Sequence, residues 1–317
     1  MIRFASLHID IVFLMLRFTQ CALFRQVSIW GGGTMGGGIA QISAAAGIPA
    51  TVVEVSQDRI DFSRKQIQAS LTRVAKKKCD GDAAKMKAFV DNVMKNITFT
   101  TDEKAAAQAD LIVEAVVENL DVKKELFARL DALAPKATIF CSNTSSLGIA
   151  EIATATGRKD RFGGLHFFSP VPMMKLVEVV QPDALKQEHV EKLVAFSKKV
   201  GKTPVVTKDT MGFIVNRLLV PYQMEAVRLV ERGVASIPDV DTAMKLGCGY
   251  PMGPFELFDS VGIDVIKFVI DGWHKQYPEH PLFKPSKMVD DLIAAGKLGK
   301  KTGEGFYKYD SKGKKIE

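Results

Sequence analysis

Residues 27–40 read VSIWGGGTMGGGIA. A short β-rich run leads into glycines, and a small-residue helical pattern follows through Ala46. Gly31, Gly33 and Gly36 fall in the order G-x-G-x-x-G. Glycine is needed there for a tight turn, for close backbone approach to a pyrophosphate, and for helix–strand packing. The helix start adds unpaired amides and a partial positive charge. Gly31, Gly32, Gly33, Thr34, Met35 and Gly36 are therefore candidate contacts of a dinucleotide, although a glycine-rich turn without ligand has the same pattern. Glu54 ends the next strand, where a carboxylate accepts bonds from ribose hydroxyls and repels a 2′-phosphate. No arginine immediately follows that strand end, so NAD is expected as cofactor and not NADP.

Working outward, ATVVEV (Ala50–Val55) is a second strand, and a helix is expected from about Asp58 to Lys78. DLIVEAV (Asp110–Val116) and ATIFCS (Ala137–Ser142) are continuous apolar runs, as strands covered on both faces should be. Helical spacing separates them. Strands alternating with helices predict βαβ units and a parallel sheet. FGGLHF and KLVEVV add two strands, then a helix near Gln187–Val200 and a strand TPVVT. From Gly212 the texture becomes helical, with no clear strand except GFYKY (Gly305–Tyr309). The expected architecture is α/β: a Rossmann-like NAD-binding domain over 26–208, followed by an all-helical domain over 209–317.

The 317 residues are long enough for two domains, and 47% hydrophobic with 25% charged residues is ordinary globular composition. A net charge of +7 fits several polyanions, phosphorylated cofactors among them. There is no aromatic-interleaved basic motif and no zinc-finger spacing, so neither nucleic acid nor a metal is expected. Four scattered cysteines (Cys21, Cys79, Cys141, Cys248) lack CxxC spacing and read as free thiols in a reducing compartment. None has a partner nearby in sequence that marks it as a nucleophile.

Residues 1–25 differ from the rest. They carry Arg3, Arg17 and Arg25 against one acid, Asp10, and an apolar run, Ile11–Leu16, too short to span a bilayer. A cationic, acid-poor leader resembles a mitochondrial presequence, although it is poor in serine. A secretory signal and an extended start are the alternatives. No stable membrane insertion is expected.

LHFFSPVP (Leu165–Pro172) holds one of only five histidines. By itself His166 reads as a buried side chain or as a general base. Seven motifs in order bear on the choice: GGGTMGGGIAQ, VVENL, NTSSL, RFGGLHFFSPVPMMKLVEVV, GFIVNRLL, GYPMGPFEL and GKKTGEGFY. Together, from about Val27 to Tyr309, they resemble the L-3-hydroxyacyl-CoA dehydrogenase family of β-oxidation, most nearly its short-chain mitochondrial type. The resemblance implies oxidation of L-3-hydroxyacyl-CoA to 3-ketoacyl-CoA with NAD, a helical C-terminal domain that forms a homodimer, an acyl-CoA substrate, and a place in the mitochondrial matrix.

By position, His166 matches the family's base and Glu178 the carboxylate that bonds it. Imidazole suits the proton transfer because its reference pKa, about 6.5, lies near working pH. A carboxylate on the other ring nitrogen fixes the tautomer. Ser145 matches a contact of substrate and nicotinamide; a helix cap is the alternative role. Asn216 matches a polar residue of the helical domain that approaches the reacting centre. Glu118, Lys123 and Lys301 match cofactor contacts, and Ser70 and Lys77 match positions that hold CoA. In AKKK, Lys77 alternatively belongs to a solvated face.

The chain departs from the family at two points. Ser169 stands where asparagine is usual beside the nicotinamide, which removes an amide donor. Met211 stands where proline is usual before the domain-joining glycine. Two rival expectations follow: a β-hydroxyacid dehydrogenase for a non-CoA substrate, and a non-catalytic dimeric relative that keeps the fold and the NAD site.

Overall fold

Eight short strands carry the first part of the chain in the computed structural model, which describes residues 24–316. They are β1 (Val27–Trp30), β2 (Ala50–Val53), β3 (Ile97–Thr100), β4 (Leu111–Glu114), β5 (Ile139–Ser142), β6 (Phe162–Phe167), β7 (Leu176–Gln181) and β8 (Thr203–Lys208). They form one sheet in the order β3-β2-β1-β4-β5-β6-β7-β8. Interleaved are α1 (Thr34–Ala45), α2 (Gln57–Lys78), α3 (Ala83–Met94), α4 (Glu103–Ala106), α5 (Leu120–Leu133), α6 (Ile149–Ala153) and α7 (Gln187–Lys199).

Alternation along the strands sorts side chains onto two cores. Val27, Ile29, Val52, Leu111, Val113, Ile139 and Cys141 join residues of α1, α2 and α7. Trp30, Val53, Ile112 and Phe140 join residues of α4, α5 and α6. With both faces covered, the strands read as continuous apolar runs.

One pair departs from the expected parallel sheet: β6 and β7 run antiparallel. Their connection, 168–175, is too short for the crossover of a dozen or more residues that a parallel pair needs. The strand pattern also passed over α3 and β3. Ile97–Thr100 is an edge strand that buries only its first residue, so its sequence carries little apolar signal. Phe24 and Arg25, on the leader side of the expected boundary, belong to this fold: Phe24 packs edge-on against Phe196, and Arg25 pairs with Asp110 at 3.0 Å. The remainder of the expected leader lies outside the described residues.

The chain divides after Phe213 into two compact units. The second contains α8 (Val215–Glu231), α9 (Ile237–Cys248), α10 (Pro254–Val261), α11 (Ile263–Gln276) and α12 (Lys287–Ala294). The expected strand near GFYKY is replaced by isolated antiparallel bridges, Glu304 to Lys308 and Tyr309 to Lys315. Among the described residues no helix is long and apolar enough to cross a membrane.

Candidate functional site

The glycine turn after β1 is shaped by what side chains would hit. Gly31 has φ +94°, and a Cβ there would lie 2.6 Å from the Ala115 carbonyl oxygen. A Cβ on Gly36 would lie 1.8 Å from the Gly31 oxygen, so this close approach admits only glycine. Helix α1 starts at Gly33 without a side-chain cap. Its first-turn amides therefore lack intrahelical acceptors, and a Cβ on Gly33 would meet nothing within 4 Å. Thr34 is exposed, whereas Met35 packs against the core beneath.

Beside the turn lies a cavity of about 880 Å³, lined by Trp30, Gly31, Gly33, Glu54, Arg59 and Val117 among others. Glu54 is held by the Gly32 amide (2.8 Å) and the Ser63 hydroxyl (3.2 Å), both on Oε1. The buried Trp30 Nε1 has no acceptor among the described residues. The uncapped glycine turn and the Glu54 carboxylate border one cavity and fit a dinucleotide's phosphates and ribose. No arginine immediately follows Glu54; Arg59, five positions on, lines the same cavity from the first turn of α2.

At the ends of β4 and β5 is a buried ionic cluster. The Lys123 ammonium is 2.5 Å from Glu114 and 3.2 Å from Glu118, and its side chain is 1% exposed. Ser142 donates to Glu114 at 2.5 Å. Glu118 accepts from the Thr144 and Ser146 hydroxyls and from the Ser145 amide. Burial raises the Glu114 carboxyl above the ordinary range despite Lys123. Burial pushes Glu118 the same way, but Lys123 and the hydroxyls outweigh it and leave the carboxyl lowered. Lys123 is thus enclosed by carboxylates, and Glu118 is the member of the cluster with partial exposure. Ser145 is half-buried and does not cap α6; Gly148 is the N-cap, and Asp209 receives the Ile149 and Ala150 amides.

His166 and Glu178 are opposite one another in the antiparallel β6–β7 register. Directly paired residues of adjacent strands share a face, and His166 Nδ1 lies 2.7 Å from Glu178 Oε2. Both side chains are buried, at 7% and 1% exposure, so the pair meets the need of each polar group away from water. Phe168 and Phe213 pack on the imidazole, with ring centroids 4.4 and 5.6 Å away. Phe213 takes φ +51°, a costly conformation for a bulky residue, in the segment that follows Met211. The Asn143 side chain accepts from the Phe167 amide at 2.9 Å and ties the end of β5 to that of β6. Lys202 donates to the Val171 and Met174 carbonyls and so holds the turn beyond His166; burial lowers its pKa.

Ser169 is exposed at the start of that turn, joined to Pro170 by a cis peptide bond. Ser70 and Lys77 are both on α2, Ser70 half-buried beside the turn and Lys77 exposed. In the second unit Asn216 is in the first turn of α8, and Lys301 pairs with both Asp264 oxygens at 2.5 and 2.6 Å. Glu114, Phe213, Asn143 and Lys202 escaped the sequence reading. Glu114 could have been found as a charge at the end of an apolar strand; Lys202, which precedes β8, and the Phe213 backbone leave no such mark in sequence.

Comparison with known proteins places this geometry in context. The model of the 3-hydroxyacyl-CoA dehydrogenase NAD-binding domain matches residues 26–210, and that of the C-terminal domain matches 212–309. The chain is 56% identical to the mitochondrial hydroxyacyl-coenzyme A dehydrogenases of Rattus norvegicus and Homo sapiens, over 90% of this chain and 92% of each relative. The crystal structure of FadB2 from M. tuberculosis matches with a TM-score of 0.85 at 38% identity, over 91% of this chain and 100% of that one. (S)-3-Hydroxybutyryl-CoA dehydrogenase PaaH1 from Ralstonia eutropha matches equally, at 35% identity.

Proposed function

The chain belongs to the 3-hydroxyacyl-CoA dehydrogenase family, and from that premise we propose that it oxidises L-3-hydroxyacyl-CoA to 3-ketoacyl-CoA with NAD⁺, using His166 as general base. The observation that carries the assignment of the base is the 2.7 Å pair between His166 Nδ1 and Glu178 Oε2. That bond commits Nδ1 to the carboxylate and leaves proton transfer to Nε2.

NAD⁺ supplies the acceptor for the hydride that leaves C3. His166 Nε2 takes the hydroxyl proton as the C3–O bond becomes a carbonyl, and Glu178 stabilises the imidazolium formed. In the reverse direction the imidazolium returns the proton to oxygen. Phe168 and Phe213 keep the imidazole away from water, which strengthens its attraction to Glu178. The glycine turn, Trp30 and Glu54 hold the cofactor, with Glu118 held by Lys123 as a further contact. Ser145, Ser169, Asn216 and Lys301 contribute cofactor and substrate contacts, and Ser70 and Lys77 bind CoA, as the family resemblance implies. The first unit is the cofactor-binding domain and the second the substrate-binding and homodimer-forming domain. The mitochondrial rat and human relatives support a place in the mitochondrial matrix.

The test is reduction of acetoacetyl-CoA, followed as loss of NADH absorbance, with free acetoacetate for comparison. The wild-type protein should reduce the CoA ester in strong preference to the free acid. His166→Gln should lower turnover by roughly 10³-fold or more while keeping the melting temperature and NADH affinity. Near-normal turnover in that variant removes His166 from the role.

A further inference from the structure

The wall of the cofactor cavity carries two arginines, and their surroundings differ. Arg129 is paired with Glu103 at 3.3 Å. Arg59 makes no ion pair and no side-chain hydrogen bond among the described residues. Its guanidinium lies 5.2 Å from the Phe62 ring centroid, and both side chains are exposed. In the first turn of α2 it also opposes the helix dipole, which favours an acid such as the neighbouring Asp58. Neither a partner nor its own helix accounts for a cation at this wall.

Glu54 and Arg59 act on one substituent of the cofactor in opposite senses. The Glu54 side chain is recessed, with Oε1 engaged by the Gly32 amide and by the hydroxyl of the fully buried Ser63. Its Oε2 is left to accept from ribose hydroxyls. A 2′-phosphate removes one such hydroxyl and is repelled by the carboxylate. Arg59 is exposed and unpaired, and its planar fork of donors matches phosphate oxygens two at a time. An acid in this region favours NAD, whereas a nearby arginine accommodates the 2′-phosphate of NADP. This chain has both at one cavity. Glu103 and Glu125 complete its charged lining, so acids still outnumber arginines there and NAD stays preferred.

We propose that Arg59 makes the cavity tolerant of a 2′-phosphate, so that NADP(H) serves this chain as a second, weaker dinucleotide beside NAD(H). The proposal rests on the assignment of this cavity to the cofactor. It gives Arg59 a part in cofactor selection, separate from the acid–base pair on β6 and β7. Solvated stacking of Arg59 on Phe62 is the competing role.

Binding measurements separate the two roles without turnover. Dissociation constants of NADH and NADPH are read by nucleotide fluorescence, and those of 5′-AMP and 2′,5′-ADP by calorimetry. The wild-type protein should bind NADPH saturably, though more weakly than NADH. Arg59→Met should weaken NADPH about tenfold relative to NADH, and 2′,5′-ADP by a similar factor relative to 5′-AMP. Glu54→Gln should tighten NADPH relative to NADH, and adding Arg59→Met to it should reverse that gain. Because Arg59 is exposed and unpaired, its variant should keep the wild-type melting temperature. Equal effects of Arg59→Met on both members of each pair, no effect on either, or no saturable NADPH binding by the wild type overturns the proposal and leaves Arg59 to Phe62. If Glu54→Gln does not fold, Arg59→Met decides alone by the same outcomes. Failure of the wild-type protein to bind NADH overturns the cofactor assignment of the cavity itself.

Discussion

Glu178 in the first unit and Asp259 in the second are both buried carboxylates, and their partners differ in kind. Asp259 accepts from the Phe306 and Tyr307 amides, each at 2.9 Å, and from the Tyr309 hydroxyl at 2.8 Å. Asp241 beside it accepts from the Phe255 and Glu256 amides and from Tyr307. Backbone amides do not titrate, and burial and the neighbouring aspartates push both tyrosines far up. Those two carboxylates fix the C-terminal segment onto α9 and α10 and have nothing to exchange. Glu178 faces an imidazole, which has a second ring nitrogen besides the one the carboxylate holds. What sets one buried acid apart from another is the chemistry of its partner, more than its own burial.

Substitution at each acid should break the comparison in opposite ways. Glu178→Gln keeps shape but offers the imidazole a neutral amide, so kcat should fall by roughly 10³–10⁴-fold, with little change in thermal melting. A matching loss of melting temperature and of activity would make Glu178 structural. Asp259→Asn removes a charge-assisted acceptor and sets an amide against two amide donors. It should destabilise the protein by about 1–3 kcal/mol in denaturant titration, with kcat of the folded fraction retained. A large kcat loss at full stability would erase the distinction between the two acids.

Glu256 sharpens the comparison through pH. Burial raises its carboxyl, but Lys315 and Lys245, at 2.7 and 2.9 Å, outweigh burial and bring it down to about 2. A depressed folded-state value means stabilisation that is fully present above the ordinary value of 4.5 and is lost as pH falls towards 2. The stability difference between wild type and Glu256→Gln should therefore be constant from pH 5 to 7 and vanish on acidification. Asp241 and Asp259, raised chiefly by burial, carry the opposite sign: protonation on acidification favours the fold. A Glu256 difference that grows in acid would show that the lysine pairs do not set its charge.

The His166–Glu178 contact was legible in the sequence because strands have period two: His166 lies near the end of one strand, Glu178 on the next, and a short turn joins them. Continuous apolar runs delivered the sheet except its edge strand β3, and glycine spacing delivered the nucleotide turn. Residues whose meaning is tertiary stayed hidden. Phe213 is an ordinary aromatic in sequence, and only folding places it on the imidazole with φ +51°. Glu114 sits in a run that reads as apolar strand, and its role depends on Lys123 arriving from α5. Arg59 is too far along the chain from Glu54 to count as following it, yet one helical turn brings it back to the cavity.

Lys202 holds the turn after His166 entirely through main-chain carbonyls. Main-chain anchorage is indifferent to the side chains it carries. The exposed side chains of that turn, Ser169 and Lys175 among them, are therefore free to drift without loosening that grip, whereas Val171 is held by the core it packs into.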